Sequence, residues 1–140
     1  MNLYLDASVL VPMFASDIFS DRADALLRAA GAEVVVSDFA STEFASAISR
    51  KVRMGRLTRE EGVRALANFD AWLSDFAGHA DVTTADVVAA ATFLRRLDLN
   101  LRTPDAIHIA MAQRLGAELA TFDARMAECA LALGAAARLA

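Results

Sequence analysis

The chain has 140 residues, 18 of them acidic and 14 basic, a net charge of −4 and 56% hydrophobic residues. That describes one folded domain over residues 1–140, long enough to bury roughly two-thirds of its unfolded surface without disulfide or metal staples. The acidic balance excludes a protein that grips nucleic acid mainly through a net positive field. The single cysteine, Cys129, excludes an intrachain disulfide framework and a zinc site of several thiolates, and suits a reducing cytoplasm.

The first apolar run carries Asp6 and lacks a basic leader, so it reads as a buried strand at 3–5 rather than a signal peptide. Further strands are expected at 34–36, 82–83 and 119–121. Helical patterns separate them: an alanine-rich stretch over 24–30, a helix over 39–54 that stops at Gly55, and a third on which Val63, Leu66, Ala67, Leu73 and Phe76 recur at helical spacing. Thr58 and Glu61 spell a capping box before that third helix, and Thr84 is the expected N-cap of the next, which carries Val87, Val88, Ala91 and Leu94. Pro12 and Pro104 both stand where helix starts are expected, Pro104 behind Thr103 as N-cap. No glycine ends the helix before Arg102, so Asp98 or Asn100 is expected in a left-handed conformation. The C-terminal GAAARLA lacks a β-branched strand, which leaves the sheet short, at four to five strands. Short apolar strands alternating with helices predict a mostly parallel sheet covered on both faces, an α/β sandwich. No run approaches the ~18 apolar residues of a membrane span.

In an open parallel sheet, ligands bind beyond the carboxyl ends of the strands. Asp6 directly follows the first strand and Asp123 comes two residues after Thr121, so both belong to that edge. Asp105 lies in the first turn of a helix, where the dipole favours a charged carboxylate. Glu43 lies near the start of the helix after the second strand, in an apolar stretch where a lone buried acid is costly and needs a partner. Each has a plainer explanation alone: capping for Asp105 and Asp123, a solvated helix flank for Glu43. Together, four acids from separate segments converging on one sheet edge suggest a site for a hard divalent cation, Mg²⁺ or Mn²⁺, which prefers oxygen ligands and neutralises the cluster. With those four set aside, acidic and basic residues balance, so a polyanion can approach.

The segments LDASVLV, STEFASAI, RTPDAIHIA and ATFDARMA, in this order and spacing, resemble a PIN-domain ribonuclease of the VapC toxin type, over nearly the whole chain. The resemblance implies a PIN-like three-layer α/β/α sandwich and an endoribonuclease that hydrolyses phosphodiester bonds with one or two Mg²⁺ or Mn²⁺ ions. It maps the ligand positions onto Asp6, Glu43, Asp105 and Asp123. Ser8 and Thr121 match the family's hydroxyl positions, where they orient a carboxylate or a water of the ion. It further implies a VapB-like antitoxin partner gripped by helices around Phe69, Trp72, Leu73 and Phe76, and a homodimer that can join two antitoxins or a larger assembly.

All but one of the basic residues are arginine. Arg50, Lys51, Arg53 and Arg56 cluster at the end of the Glu43 helix, and Arg95, Arg96 and Arg102 form a second group; Arg50, Lys51, Arg53 and Arg102 are the candidate RNA contacts, against the plainer reading of a solvated helix face. His108, one turn after Asp105, reads as a packing residue or a hydrogen bond near the site. A phosphotransferase using Asp6 is disfavoured because Ala7 and Ser8 follow where a D-x-D arrangement is usual. A PIN-like interaction module without turnover is the remaining alternative, disfavoured because all four acids are present.

Overall fold

The computed structural model describes residues 1–140. Five strands, β1 (Leu3–Leu5), β2 (Val34–Ser37), β3 (Gly78–Ala80), β4 (Glu118–Thr121) and β5 (Ala137–Leu139), form one sheet in the order β3-β2-β1-β4-β5. Every neighbouring pair is parallel. Seven helices cover it: α1 (Ala7–Phe14), α2 (Ser20–Ala29), α3 (Asp38–Arg53), α4 (Arg59–Phe76), α5 (Thr84–Leu94), α6 (Thr103–Arg114) and α7 (Ala124–Ala132). The α/β sandwich expected from the sequence is therefore present, with a wholly parallel sheet of five strands.

Pleating sends successive side chains of β1 to opposite faces. Leu3 and Leu5 join a core with Val9 and Leu10 of α1, Phe44 and Ile48 of α3 and Phe69 of α4. Tyr4, between them, joins a second core with Leu119 of β4, Ile109 and Met111 of α6, and Met126 and Ala130 of α7. Within the first core, Phe44 stacks on Phe69 with ring centroids 4.2 Å apart, and Phe14 meets both edge-on. Along α4 the aromatic residues divide: Phe69 is core, while Phe76 is exposed. No helix is long and apolar enough to cross a membrane.

Several local expectations are corrected. The third strand lies at Gly78–Ala80, not 82–83, because the Val82 N–H is bound by Asp38 Oδ1 at 2.9 Å and Thr83 is already the N-cap of α5, in a capping box with Asp86. Thr84 is the first residue of that helix. Ala137–Leu139 does form a final strand, since pairing with Leu119–Thr121 supplies what its side chains lack. Leu97, not Asp98 or Asn100, takes the left-handed conformation, with φ 66°. Arg102, not Thr103, is the N-cap of α6, and Pro12 lies inside α1, which starts at Ala7 rather than at the proline. The Thr58–Glu61 capping box forms as read.

The chain leaves β1 to build β2 and β3 on one side, and β4 and β5 lie on the other. The carboxyl ends of β1 and β4 therefore flank the point where the winding reverses, and there a crevice opens.

Candidate active site

That crevice is a cleft of about 170 Å³ lined by Asp6, Ser8, Glu43, Arg102, Asp105, His108 and Asp123, with Ala7 and Met126. All four acids named from the sequence line it.

Asp6 follows β1 directly and is only 4% exposed. Its Oδ1 accepts the Ser8 hydroxyl at 2.6 Å and its Oδ2 the Thr121 hydroxyl at 2.7 Å. Each hydroxyl also accepts a backbone N–H, Ser8 from Phe122 at 2.9 Å and Thr121 from Asp123 at 3.0 Å. Both hydroxyl protons are thus committed to Asp6, and the ends of β1 and β4 are tied through it. No ion pair of the structure includes Asp6. Burial pushes its carboxyl above the usual carboxylate range, and the two hydroxyl bonds offset only part of that cost.

Asp105 is placed by the first turn of α6. Its Oδ2 accepts the Arg102 backbone N–H at 3.1 Å and faces the Arg102 Nε at 3.6 Å, while its Oδ1 makes no hydrogen bond. Asp123 is the N-cap of α7, its Oδ1 accepting the Met126 N–H at 3.2 Å. Burial opposes its ionisation, but that backbone bond and Arg125 outweigh it and hold the carboxyl below its ordinary range. Arg125 joins the two acids: its Nη2 lies 3.1 Å from Asp105 Oδ2 and 3.2 Å from Asp123 Oδ2.

Glu43 stands in the second turn of α3, 32% exposed, and its Oε1 is bound by Nε2 of His108, which is 2% exposed. The His108 Nδ1 lies 2.8 Å from the Tyr4 hydroxyl, itself 2.7 Å from Ser37 Oγ. Ser37 Oγ accepts the Ala40 N–H, so its own proton is free for Tyr4. With a neutral His108, one direction satisfies every atom: Ser37 donates to Tyr4, Tyr4 to His108 Nδ1, and His108 Nε2–H to Glu43. Burial keeps the Tyr4 phenol far above its ordinary pKa, so its proton stays in the chain. The partner Glu43 was expected to need is therefore His108. Tyr4 and Arg125 escaped the sequence reading; for Arg125 the signal was its place two residues after Asp123.

A larger basic groove of about 490 Å³ begins at Glu43 and runs along α3 between Ser46, Arg50, Lys51 and Arg56. Arg53 turns elsewhere, bonding Ser49 Oγ at 2.6 Å and lining a groove with Ile48 and Val63. Arg102 stands at the cleft itself. Of the expected RNA contacts, Arg50 and Lys51 share a groove with Glu43, Arg102 lines the cleft, and Arg53 does neither.

Every donor converging on the cleft, apart from His108, is a carboxylate or hydroxyl oxygen, the set that a hard divalent cation prefers. A buried carboxylate without a cationic partner fits such an ion, which would hold it ionised. No three His, Cys, Asp or Glu side chains are already drawn together closely enough to enclose one.

Residues 3–131 match the PIN domain family model. The chain is 35% identical over 137 residues to ribonuclease VapC46 of Mycobacterium tuberculosis, covering 96% of this chain and 94% of that one. Among solved structures it is similar to M. tuberculosis VapC20, a sarcin-ricin loop cleaving toxin, with a TM-score of 0.73 and 22% identity over 95% of both chains. It is similar also to VapBC2 of Rickettsia felis bound to a promoter DNA fragment, with a TM-score of 0.71 and 13% identity over 99% of this chain and 98% of that one.

Proposed function

Because the chain belongs to the PIN-domain family, and its relatives there are VapC ribonucleases, we propose that it is the toxin of a toxin–antitoxin pair and cleaves RNA as a divalent-metal-dependent endoribonuclease. The observation that carries the metal dependence is Asp6, a buried carboxylate without a counter-ion, facing a cleft shared with Glu43, Asp105 and Asp123. Mg²⁺ or Mn²⁺ is the ion that suits these oxygens, with Asp6 and Asp105 as direct ligands and Glu43 and Asp123 completing the site. Once bound, such an ion lowers the pKa of a water and neutralises charge on the phosphodiester.

The protein's own groups supply position. Ser8 and Thr121 lock both oxygens of Asp6, so its remaining lone pairs keep a fixed direction. His108 holds Glu43 by one oxygen and leaves Oε2 free for the ion or a water of its shell. Arg50, Lys51 and Arg56 hold RNA phosphates along the groove, and Arg102 holds one at the cleft. Single-stranded RNA presented by a loop suits so open a site. The partner is a VapB-like antitoxin, and exposed Val63, Met54 and Phe76 are apolar surface for it or for a homodimer, assembled in the cytoplasm.

Antitoxin-free protein incubated with structured cellular RNAs and Mg²⁺ or Mn²⁺ tests the reading. Discrete fragments that vanish with EDTA and with Asp6→Asn are expected. Cleavage that survives EDTA would sink the metal dependence, and no cleavage of any RNA would favour an interaction module instead.

A further inference from the structure

Charge in the cleft is divided unevenly. Asp6 and Glu43 have no guanidinium beside them, whereas Asp105 and Asp123 share one. The Arg125 contact is also unlike the forked arginine pairs of this molecule. Arg114 grips Asp86 with Nε and Nη2 on separate oxygens at 2.8 and 2.9 Å. Arg138 grips Glu118 in the same forked way at 2.8 and 2.7 Å. Arg125 uses a single nitrogen, Nη2, for two acids from two helices, at 3.1 and 3.2 Å, and its Nε and Nη1 make no bond. A forked pair is the strong, specific arrangement; one shared nitrogen on a side chain 27% exposed is the weak one.

The oxygens involved matter. Arg125 occupies Oδ2 of Asp105 and Oδ2 of Asp123, so a cation that bridges the two acids through these oxygens meets it. An ion at about 2.1 Å from either oxygen would sit against a guanidinium already within hydrogen-bond distance of both, and like charges at that separation repel. At those two oxygens the ion and the guanidinium compete.

We infer that Arg125 is an exchangeable internal counter-ion, which holds Asp105 and Asp123 together while no metal is bound and yields both carboxylates to a divalent cation. This rests on the metal-dependent reading above and adds to it what sets the ion concentration the site needs. Without the ion, Arg125 removes the repulsion between two neighbouring carboxylates. With it, the guanidinium is released beside the cleft.

The test is direct binding, not cleavage. Mn²⁺ is titrated calorimetrically into the full chain, wild type, Arg125→Gln and Arg125→Lys, and thermal midpoints are taken with EDTA and with Mn²⁺. Arg125→Gln should melt lower in EDTA, regain the loss with Mn²⁺, and bind the ion roughly fivefold more tightly, the worth of one partly exposed ion pair. Arg125→Lys, which keeps the charge, should stay near wild type. In the unmutated protein, which needs no variant to fold, the Arg125 Nε–H resonance should move on Mg²⁺ addition while that of Arg114 stays. Wild-type binding of Mn²⁺ that Arg125→Gln leaves unchanged or weakens, or a stationary Arg125 resonance with the ion bound, overturns the inference alone. Calorimetric silence from both wild type and Arg125→Gln removes the metal-dependent reading as well.

Discussion

His108 reaches across from α6 to bind Glu43 on α3, so an acid near the surface is anchored by an imidazole 2% exposed, which Tyr4 of the central strand holds in turn. Four elements, β1, β2, α3 and α6, meet in this one chain of hydrogen bonds. Each ring nitrogen of His108 holds one end of it, and a substitution that removes the imidazole breaks both ends.

His108→Ala should therefore cost stability and activity together. It leaves the buried Tyr4 hydroxyl without its acceptor and Glu43 free to rotate, a loss of about 2 kcal/mol. In a cleavage assay kcat should fall by about tenfold or more with KM little changed, because the groove that holds RNA is untouched. Tyr4→Phe should show the same direction more weakly. Unchanged kcat in both would detach the chain from the chemistry.

Asp6→Asn should separate folding from function in the opposite sense. The carboxyl is buried, its ionisation disfavoured, and its neighbours are hydroxyls that can either donate or accept. An uncharged amide of the same shape should leave the thermal midpoint in EDTA equal to or above that of wild type. Cleavage should drop by about 100-fold or more. A variant that melts well below wild type would show that the charge itself is needed by the fold.

Charge reversal along α3 should distinguish the two sides of that helix. Arg50→Glu faces the groove that begins at Glu43, whereas Arg53→Glu lies on the other side, bonded to Ser49. Arg50→Glu should raise KM, leave kcat nearly constant and flatten the dependence of RNA affinity on salt. Arg53→Glu should do little. Equal effects would mean that RNA does not follow the groove.

Acid stability should report on Asp86, which does not line the cleft. Burial opposes its ionisation, but the forked Arg114 and the Thr83 N–H and hydroxyl outweigh that and lower its pKa. A depressed folded pKa contributes stability that is complete above the unfolded value of about 3.9 and is lost as pH falls through the folded one. Asp86→Asn should cost about 2 kcal/mol at pH 7 and flatten the fall of the denaturation midpoint below about pH 4. An equally steep fall in the variant would assign the acid sensitivity to other carboxylates.

What could be read from the sequence was what depends on neighbours in the chain. The Thr58–Glu61 box closes over three residues, and apolar runs such as Leu3–Leu5 and Leu119–Thr121 mark buried strands wherever they pair. The places of Asp6 and Asp123 at strand ends and Asp105 in a first turn follow from the same local patterns, which is why the acids of the cleft were legible. Gly78–Ala80 and Ala137–Leu139 were not, because edge strands of small or charged residues owe their existence to the backbone beside them.

The sequence by itself thus determined the layered α/β architecture and the acidic edge, because periodicity and capping are properties of a few consecutive residues. Tertiary structure decided the distant groups that hold those acids. Ser8 meets Thr121 across 113 residues, His108 meets Glu43 across 65, and Arg125 reaches Asp105 across 20. Nothing in the spacing of such residues encodes their meeting; it follows from β1 pairing with β4 and from α3 and α6 packing on opposite faces of the sheet, contacts that exist only once the whole core has closed.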